Sequence, residues 1–279
     1  MPERSTRRRI ALCDGAARYG LMIDTHIHLD ADQYADPSGT IKRAREAGVR
    51  AIIVPGVSPA SNRAVLELAR RFPGFVHPAL GFHPERYELT DQDFEATVAA
   101  IRAERGRIFA IGEVGIPWYG DRAHDEAVRA PACERLDAMA RLAIDMDLPL
   151  ILHAPHASAA VALRIVTDAG SPRAVFHWHK SDEATTRAII DAGHFISVTP
   201  EVVYRERDRE LARIVPLSQL LVETDGPWQY GDRFSHRATE PSMIADAIAA
   251  VAKIRNKTID ATSDLVTANA VRFFGLSIN

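Results

Sequence analysis

The chain has 279 residues, 47% of them hydrophobic and 25% charged, an ordinary globular composition with length for one large α/β domain or two small ones. A formal net charge of −3 supplies no global basic field for gathering nucleic acid or anionic membrane, although a local basic groove stays open. No apolar run approaches the ~20 residues that span a bilayer, and two cysteines, Cys13 and Cys133, with no CxxC pair imply no disulfide framework and a reducing, cytoplasmic setting.

In chain order, the start carries a basic cluster, but its apolar stretch "IALC" stops at Asp14, too short for a signal-peptide core. Residues 1–21 are expected to form an N-terminal extension, disordered and dispensable, ahead of one domain at 22–279. "MIDTHIHLD" (22–30) reads as a first strand. "GTIKRAREAG" (39–48) is a short amphipathic helix closed by Gly48, and "VRAIIVPG" a buried strand. "SPASNRAVLELARRF" is a helix with Pro near its start and Pro73 after its end. "FVHPALGFHP" is strand and turn, and "TDQDFEATVAAIRAE" opens with Thr90 and Asp93 at capping-box spacing. Strand "IFAIGEVG" (108–115) precedes a helix with Leu136, Met139, Ala143 and Met146 on one face. Strand "PLILHA" (149–154), helix "HASAAVALRIVTDAG", strand "RAVFHW" (173–178), helix "DEATTRAIIDAG", strand "HFISV" and the short segment "RDRELARIV" follow. Strand "QLLVETD" (219–225), helix "EPSMIADAIAAVAKIRN" and a tail helix "TIDATSDLVTANAVRFFG" end the chain.

Eight strand–helix alternations with β-branched strands apolar on both faces predict a (β/α)8 TIM barrel, a single domain with an extra C-terminal helix. The alternative, a doubly wound open sheet, wants a Gly-rich phosphate loop after the first strand, and the sequence has none there.

Catalytic residues of such a barrel sit at the C-terminal ends of its strands. His26 and His28 end the first strand, Glu113 the fourth, His153 the fifth, His177 the sixth and Asp225 the eighth. A His-x-His pair alone fits a solvated strand end as well as a metal site. Six ligand-type side chains on one rim do not fit that bland reading. Strand alternation sends His26 and His28 into the barrel mouth together, with Ile27 turned away. Imidazoles with carboxylates suit a borderline ion, zinc first, with magnesium or manganese as alternatives. Six side chains are too many for one catalytic ion with an open position, and suit two ions sharing a carboxylate.

The motifs "DTHIHLD", "GFHPE", "AIGEVG", "LPLILHA", "VFHWH", "LLVETDGP" and "TANAVRFFG" occur in this order between Ile23 and Leu276. In them the chain resembles the TatD family of metal-dependent hydrolases, within the amidohydrolase superfamily. The resemblance implies that His26, His28, Glu113 and Asp225 hold one metal, and that Glu113, His153 and His177 hold the other, with Glu113 as bridge. It implies hydrolysis of an ester-type bond, and in the family's usual form a 3′-5′ deoxyribonuclease. The chain departs from the usual pattern after the bridging Glu (Gly115-Ile116-Pro117-Trp118-Tyr119), at strand five (His153-Ala154-Pro155, where an Arg is usual) and at strand six (His177-Trp178-His179-Lys180-Ser181). The metal-binding residues are kept and the substrate-facing ones changed.

Two ions acidify a shared water toward neutrality and polarise the oxygen of the scissile group. Asp225 is placed to move the proton and Glu113 to bridge, so these two are the expected catalytic residues. Substrate-contact candidates at the rim are His83, Trp118, Tyr119, His179, Lys180, Tyr204 and Trp228. His83 fits a loop-stabilising role beside Pro84 better. Lys180 is either a replacement for the missing arginine or a solvated rim lysine. The substrate is a small ester, lactone or amide, or a nucleic-acid end. No membrane and no obligate protein partner are expected. With Pro155 for the arginine, poor cleavage of long DNA is expected, unless Lys180, the arginines of "YRERDR" (204–209) and Arg233 build a basic rim. A Schiff-base aldolase using Lys180 and a non-catalytic metal-binding barrel are the remaining readings. The first leaves the histidines unexplained, and the second leaves a complete ligand set unexplained.

Overall fold

The computed structural model describes residues 21–170 and 172–277. Its elements are β1 (Met22–Asp24), α1 (Pro37–Glu46), β2 (Val49–Pro55), α2 (Pro59–Arg71), β3 (Val76–Leu80), α3 (Asp91–Ala103), β4 (Ala110–Gly115), α4 (Glu126–Met146) and β5 (Leu150–His153). They continue as α5 (Ser158–Asp168), β6 (Ala174–Phe176), α6 (Glu183–Asp191), β7 (Phe195–Val198), α7 (Glu206–Ile214), β8 (Leu220–Val222), α8 (Ile244–Ile254) and α9 (Ile259–Phe274). The eight strands pair in sequential order, every observed pair parallel. Thr25 bridges the seam between first and last strand: its N–H and its Oγ1 hydroxyl both donate to Val222 O, at 3.1 and 2.9 Å. The expected TIM barrel is the observed fold. The expected extension at 1–21 lies, except for Leu21, outside the described residues.

Local chemistry sets the helix starts. Asp36 accepts from Gly39 N–H with Pro37 at the first helical position, so α1 begins two residues ahead of the glycine expected to open it. Thr90 and Asp93 form the reciprocal capping box expected at the start of α3. Among the described residues no helix is long and apolar enough to cross a membrane.

The core has two layers. Between sheet and helices lie Val49, Ile52, Leu80, Ile111, Leu152 and Phe176 against residues such as Val65, Leu136, Met139 and Ile248. A separate cluster joins the strand residues Ile23, Ala51, Ile53, Ala79, Ile151, Val175 and Leu221 to Ala270, Phe273 and Phe274 of α9 and to Leu276. The tail helix therefore seals one end of the barrel with aromatic rings, and the polar site occupies the other.

Three strands stop short of expectation by two residues or more, β6 among them, which ends at Phe176 rather than at residue 178. β8 ends at Val222 rather than at residue 225, because Asp24 captures Thr224: it accepts from the Thr224 N–H at 2.9 Å and the Thr224 hydroxyl at 2.5 Å. Beyond that anchor Asp225 adopts a positive φ of 45°. β1 ends at Asp24, yet the alternation continues past it. Ile27 N–H donates to Ile53 O, Asp225 N–H to His26 O and His28 N–H to Gly226 O. Ile27 is fully buried on the helix side, leaving His26 and His28 on the other face.

Candidate metal centre

Glu113 lies at the centre of the site and is 1% exposed, so its carboxylate must be satisfied by protein groups or by an ion. Two contacts place its backbone. A Cβ at Gly81 would fall on the backbone of Gly112 and Glu113, so only glycine fits beside them. Asn62 of α2 then clamps Gly81, giving and accepting one hydrogen bond at 3.0 Å each.

The two oxygens of Glu113 face different histidines. Oε2 lies 3.4 Å from His26 Nε2 and 3.3 Å from His28 Nε2. Oε1 lies 2.8 Å from His153 Nδ1, 2.8 Å from His177 Nε2 and 3.2 Å from His83 Nε2. Asp225 Oδ1 stands on the Oε2 side, 3.5 Å from His26 Nε2 and 3.6 Å from His28 Nε2. Four of the side chains expected as ligands thus meet the Glu113 carboxylate, His83 joins them, and Asp225 completes the group through His26 and His28.

Second partners orient the rings. His28 Nδ1 meets Pro55 O at 3.2 Å, and His177 Nδ1 faces Glu223 Oε1 at 3.5 Å, so in each case Nε2 is turned inward. His153 is the reverse: Nδ1 points to Glu113, while Nε2 meets Glu85 Oε1 at 3.1 Å. Glu85 Oε1 also accepts the N–H groups of Trp118 and Tyr119 at 2.9 and 2.8 Å, tying two rim loops together. His83 serves the loop as well, since its Nδ1 accepts from Glu85 N–H at 3.1 Å.

Burial alone would raise the Glu113 carboxyl, but the imidazoles of His83 and His177 hold it well below the usual carboxylate range. Burial works against charge on His28, yet Glu113 and Asp225 outweigh it and lift His28 to about 9. His153 and His177 are raised in the same way, against burial, by Glu113 with Glu85 and Glu223 respectively. His26 goes down: it is fully buried, and its ring stacks on His177 at 4.1 Å. Burial also opposes charge on Glu85, but His153 and the two loop N–H groups bring it down to about 2.

The cluster opens into a cavity of about 1000 Å³. Of the rim candidates, His83, Tyr119, Lys180 and Trp228 line it. The structure places the other three outside its lining. Buried His179 bonds Thr186 Oγ1 at 2.9 Å in the wall between β6 and α6. The Tyr204 hydroxyl accepts Gly231 N–H at 3.2 Å, and the Trp118 ring packs on His124 and His156. Arg233 is engaged with Asp246. By contrast Arg205 and Arg207 line the cavity with Lys180, so of the cations that could build a basic rim these three reach the site.

Glu85, Glu223, Glu201 and Asp24 are not among the residues expected at the site. The first two and Asp24 stand inside the motifs "GFHPE", "LLVETDGP" and "DTHIHLD", but nothing in their spacing shows which group each will meet.

A family model for TatD-related DNase matches residues 23–275. An uncharacterised metal-dependent hydrolase of Haemophilus influenzae is 28% identical over 260 residues, covering 92% of this chain and 100% of that protein. A 3′-5′ ssDNA/RNA exonuclease TatD of Erwinia amylovora is 28% identical over 264 residues, covering 91% of this chain and 100% of the relative. The crystal structure of YjjV, a TatD homologue from Escherichia coli K12, superposes with a TM-score of 0.84 at 27% identity, covering 92% of this chain and 98% of that one. The match runs from the first strand to the end of the last helix, over a barrel whose rim carries the motifs in order, and on that ground this chain belongs to the TatD-related DNase family of metal-dependent hydrolases.

Proposed function

We propose that this protein is a two-ion phosphodiesterase acting on the ends of single-stranded nucleic acid. The observation that carries the reading is the division of Glu113, with one oxygen toward His26 and His28 and the other toward His153 and His177. Glu113 Oε2 is buried and receives no hydrogen bond, although two imidazole nitrogens stand near it. Ligand atoms of His26, His28 and Glu113, and again of His83, Glu113 and His153, gather within 4.8 Å of one another, a donor set that fits a divalent ion such as zinc.

In this reading His26, His28, Asp225 and Glu113 would hold one ion, and His153, His177 and Glu113 would hold the other. When bound, such ions supply Lewis-acid charge at the phosphoryl oxygen and a water acidified toward neutrality. The chain's own groups do the rest. Glu223, Glu85 and Pro55 O keep the three imidazoles turned inward. Asp225, at the cavity edge, takes the proton from the attacking water and returns it to the leaving oxygen as the P–O bond breaks. Lys180 puts a cation on the cavity wall, where a phosphate backbone needs one, and Arg205 and Arg207 stand beside it paired to Glu201. A second reading, a small ester or lactone as substrate, is favoured by Pro155, which stands where the pattern of the resemblance has an arginine. Turnover of single-stranded DNA beside small esters and lactones, at low and moderate salt, separates the two. The expected result is DNA cleavage that falls steeply with salt, and salt-insensitive ester turnover exceeding it would overturn the proposal.

Ion uptake should release protons. Without ions, His28 keeps its proton up to about pH 9, and His153 and His177 are also raised, so bound ions must displace those protons. Zinc titration calorimetry at pH 7.5 in buffers of different ionisation enthalpy should show net release. The linkage sign adds a second check. A raised histidine stabilises the fold fully below its unfolded value of 6.5, and the contribution is lost as pH climbs through the folded value. The ion-free protein should therefore lose thermal stability between about pH 6.5 and 8. Asp24, lifted by burial to about 8, acts in the same direction. A rising Tm over that window would contradict the assignment.

A further inference from the structure

We propose that Lys180, seated on the face of Trp178 beside the exposed Trp228, forms a second anion subsite that takes the phosphate adjacent to the scissile one in an oligonucleotide. The proposal rests on the phosphodiesterase reading and names what that site recognises beyond the reacting bond. Lys180 Nζ lies 3.4 Å from the Trp178 ring centroid and donates to the Tyr119 hydroxyl at 3.3 Å. Both partners are neutral, and an ammonium has three donors, so Lys180 keeps a donor and its whole charge for something else.

The neighbouring cations do not. Arg205 and Arg207 both bind Glu201, at 2.6 and 2.8 Å, and Arg207 also binds Asp208 at 2.8 Å. Those carboxylates are thereby engaged, and among the described residues no ion pair reaches Lys180. Burial pushes its ammonium down to about 8, against the pull of the Glu201 carboxylate.

The platform under Lys180 is over-determined. The indole N–H of Trp178 donates to Glu201 Oε2 at 3.2 Å, and its backbone N–H donates to Glu223 Oε1 at 2.7 Å. Its backbone is held at φ 38°, which a bulky residue keeps only when its surroundings impose it. Glu223 also faces the Nδ1 of His177, so the subsite and the metal cluster share one anchor. Trp228, 55% exposed, meets the Trp178 ring edge-on at 5.2 Å and offers a plate on which a base can stack. A compact ammonium beside an open indole fits a phosphate and its base.

The test compares thymidylyl-thymidine bearing no terminal phosphate, a 5′-phosphate or a 3′-phosphate, so that the scissile bond is constant. For the wild-type holoenzyme one terminal phosphate should raise kcat/KM roughly tenfold or more, mainly through KM. Lys180→Met, which keeps the packing on Trp178, should erase that gain, and Lys180→Arg should keep part of it. Equal turnover of all three substrates by the wild type, or a gain that survives in Lys180→Met, would overturn the proposal. Fluorescence anisotropy with a labelled 5′-phosphorylated oligothymidylate, on ion-loaded and ion-free protein, gives a readout without turnover. There the slope of log Kd against log salt should shrink by about 0.7 in Lys180→Met, one single-strand phosphate contact. If the wild type cleaves none of the three, the phosphodiesterase reading fails by itself, and the anisotropy difference decides the subsite. Unchanged binding and slope in a variant with wild-type circular dichroism would refute it.

Discussion

Protein carrying Glu113→Gln is expected to lose metal from both halves of the centre at once. The wild type should take up two divalent ions per chain. A neutral amide offers one weak acceptor oxygen and an N–H₂ that repels cations, so it cannot serve two ions. Losing an outer partner of a metal ligand already costs ~10–100-fold in affinity, and loss of the shared ligand should cost more. Elemental analysis after zinc or manganese loading is the measurement, with circular dichroism as the check on folding. One ion retained at full affinity would show that the histidines facing Oε1 or those facing Oε2 form a site without Glu113. No uptake by the wild type itself would dismiss the two-ion reading.

Asp225→Asn should cut turnover by about 10²–10⁴-fold, the range of a lost general acid–base step, while one ion stays bound. The asymmetry follows from position. Asp225 stands only on the Oε2 side, 3.5 Å from His26 Nε2, whereas His153 and His177 meet Oε1 with no contribution from it. Occupancy by elemental analysis should fall by no more than one ion, with the loss in kcat rather than KM. A variant turning over at near wild-type rate would show that the proton travels through another group, and loss of both ions would show the two halves to be inseparable.

Much of this site is legible in one dimension because barrel strands obey simple rules. Apolar runs alternating with helical periods order the eight strands, and each strand's last polar residue falls on one rim. His26, His28, Glu113, His153, His177 and Asp225 are visible for that reason, and so is the capping box of Thr90 and Asp93. The seating of Asp225 was less visible: it lies three residues past the end of β8, where Asp24 holds Thr224.

Which group faces which is another matter. Glu85 meets His153 across 68 residues, Glu223 meets the backbone of Trp178 across 45, and Asn62 clamps Gly81 across 19. No local period records such pairings, because they depend on loop paths that close only when the barrel does. Lys180 shows the same division. The sequence by itself determined a lysine three residues after His177 and a proline two residues after His153. Only the tertiary structure decided that the lysine lies on an indole face inside the cavity, with the nearby carboxylates already bound to Arg205 and Arg207. Likewise the periodicity determined a tail helix, but that Phe273 and Phe274 seal the barrel end opposite the site was decided by packing, since burial rewards any apolar surface and only shape selects which.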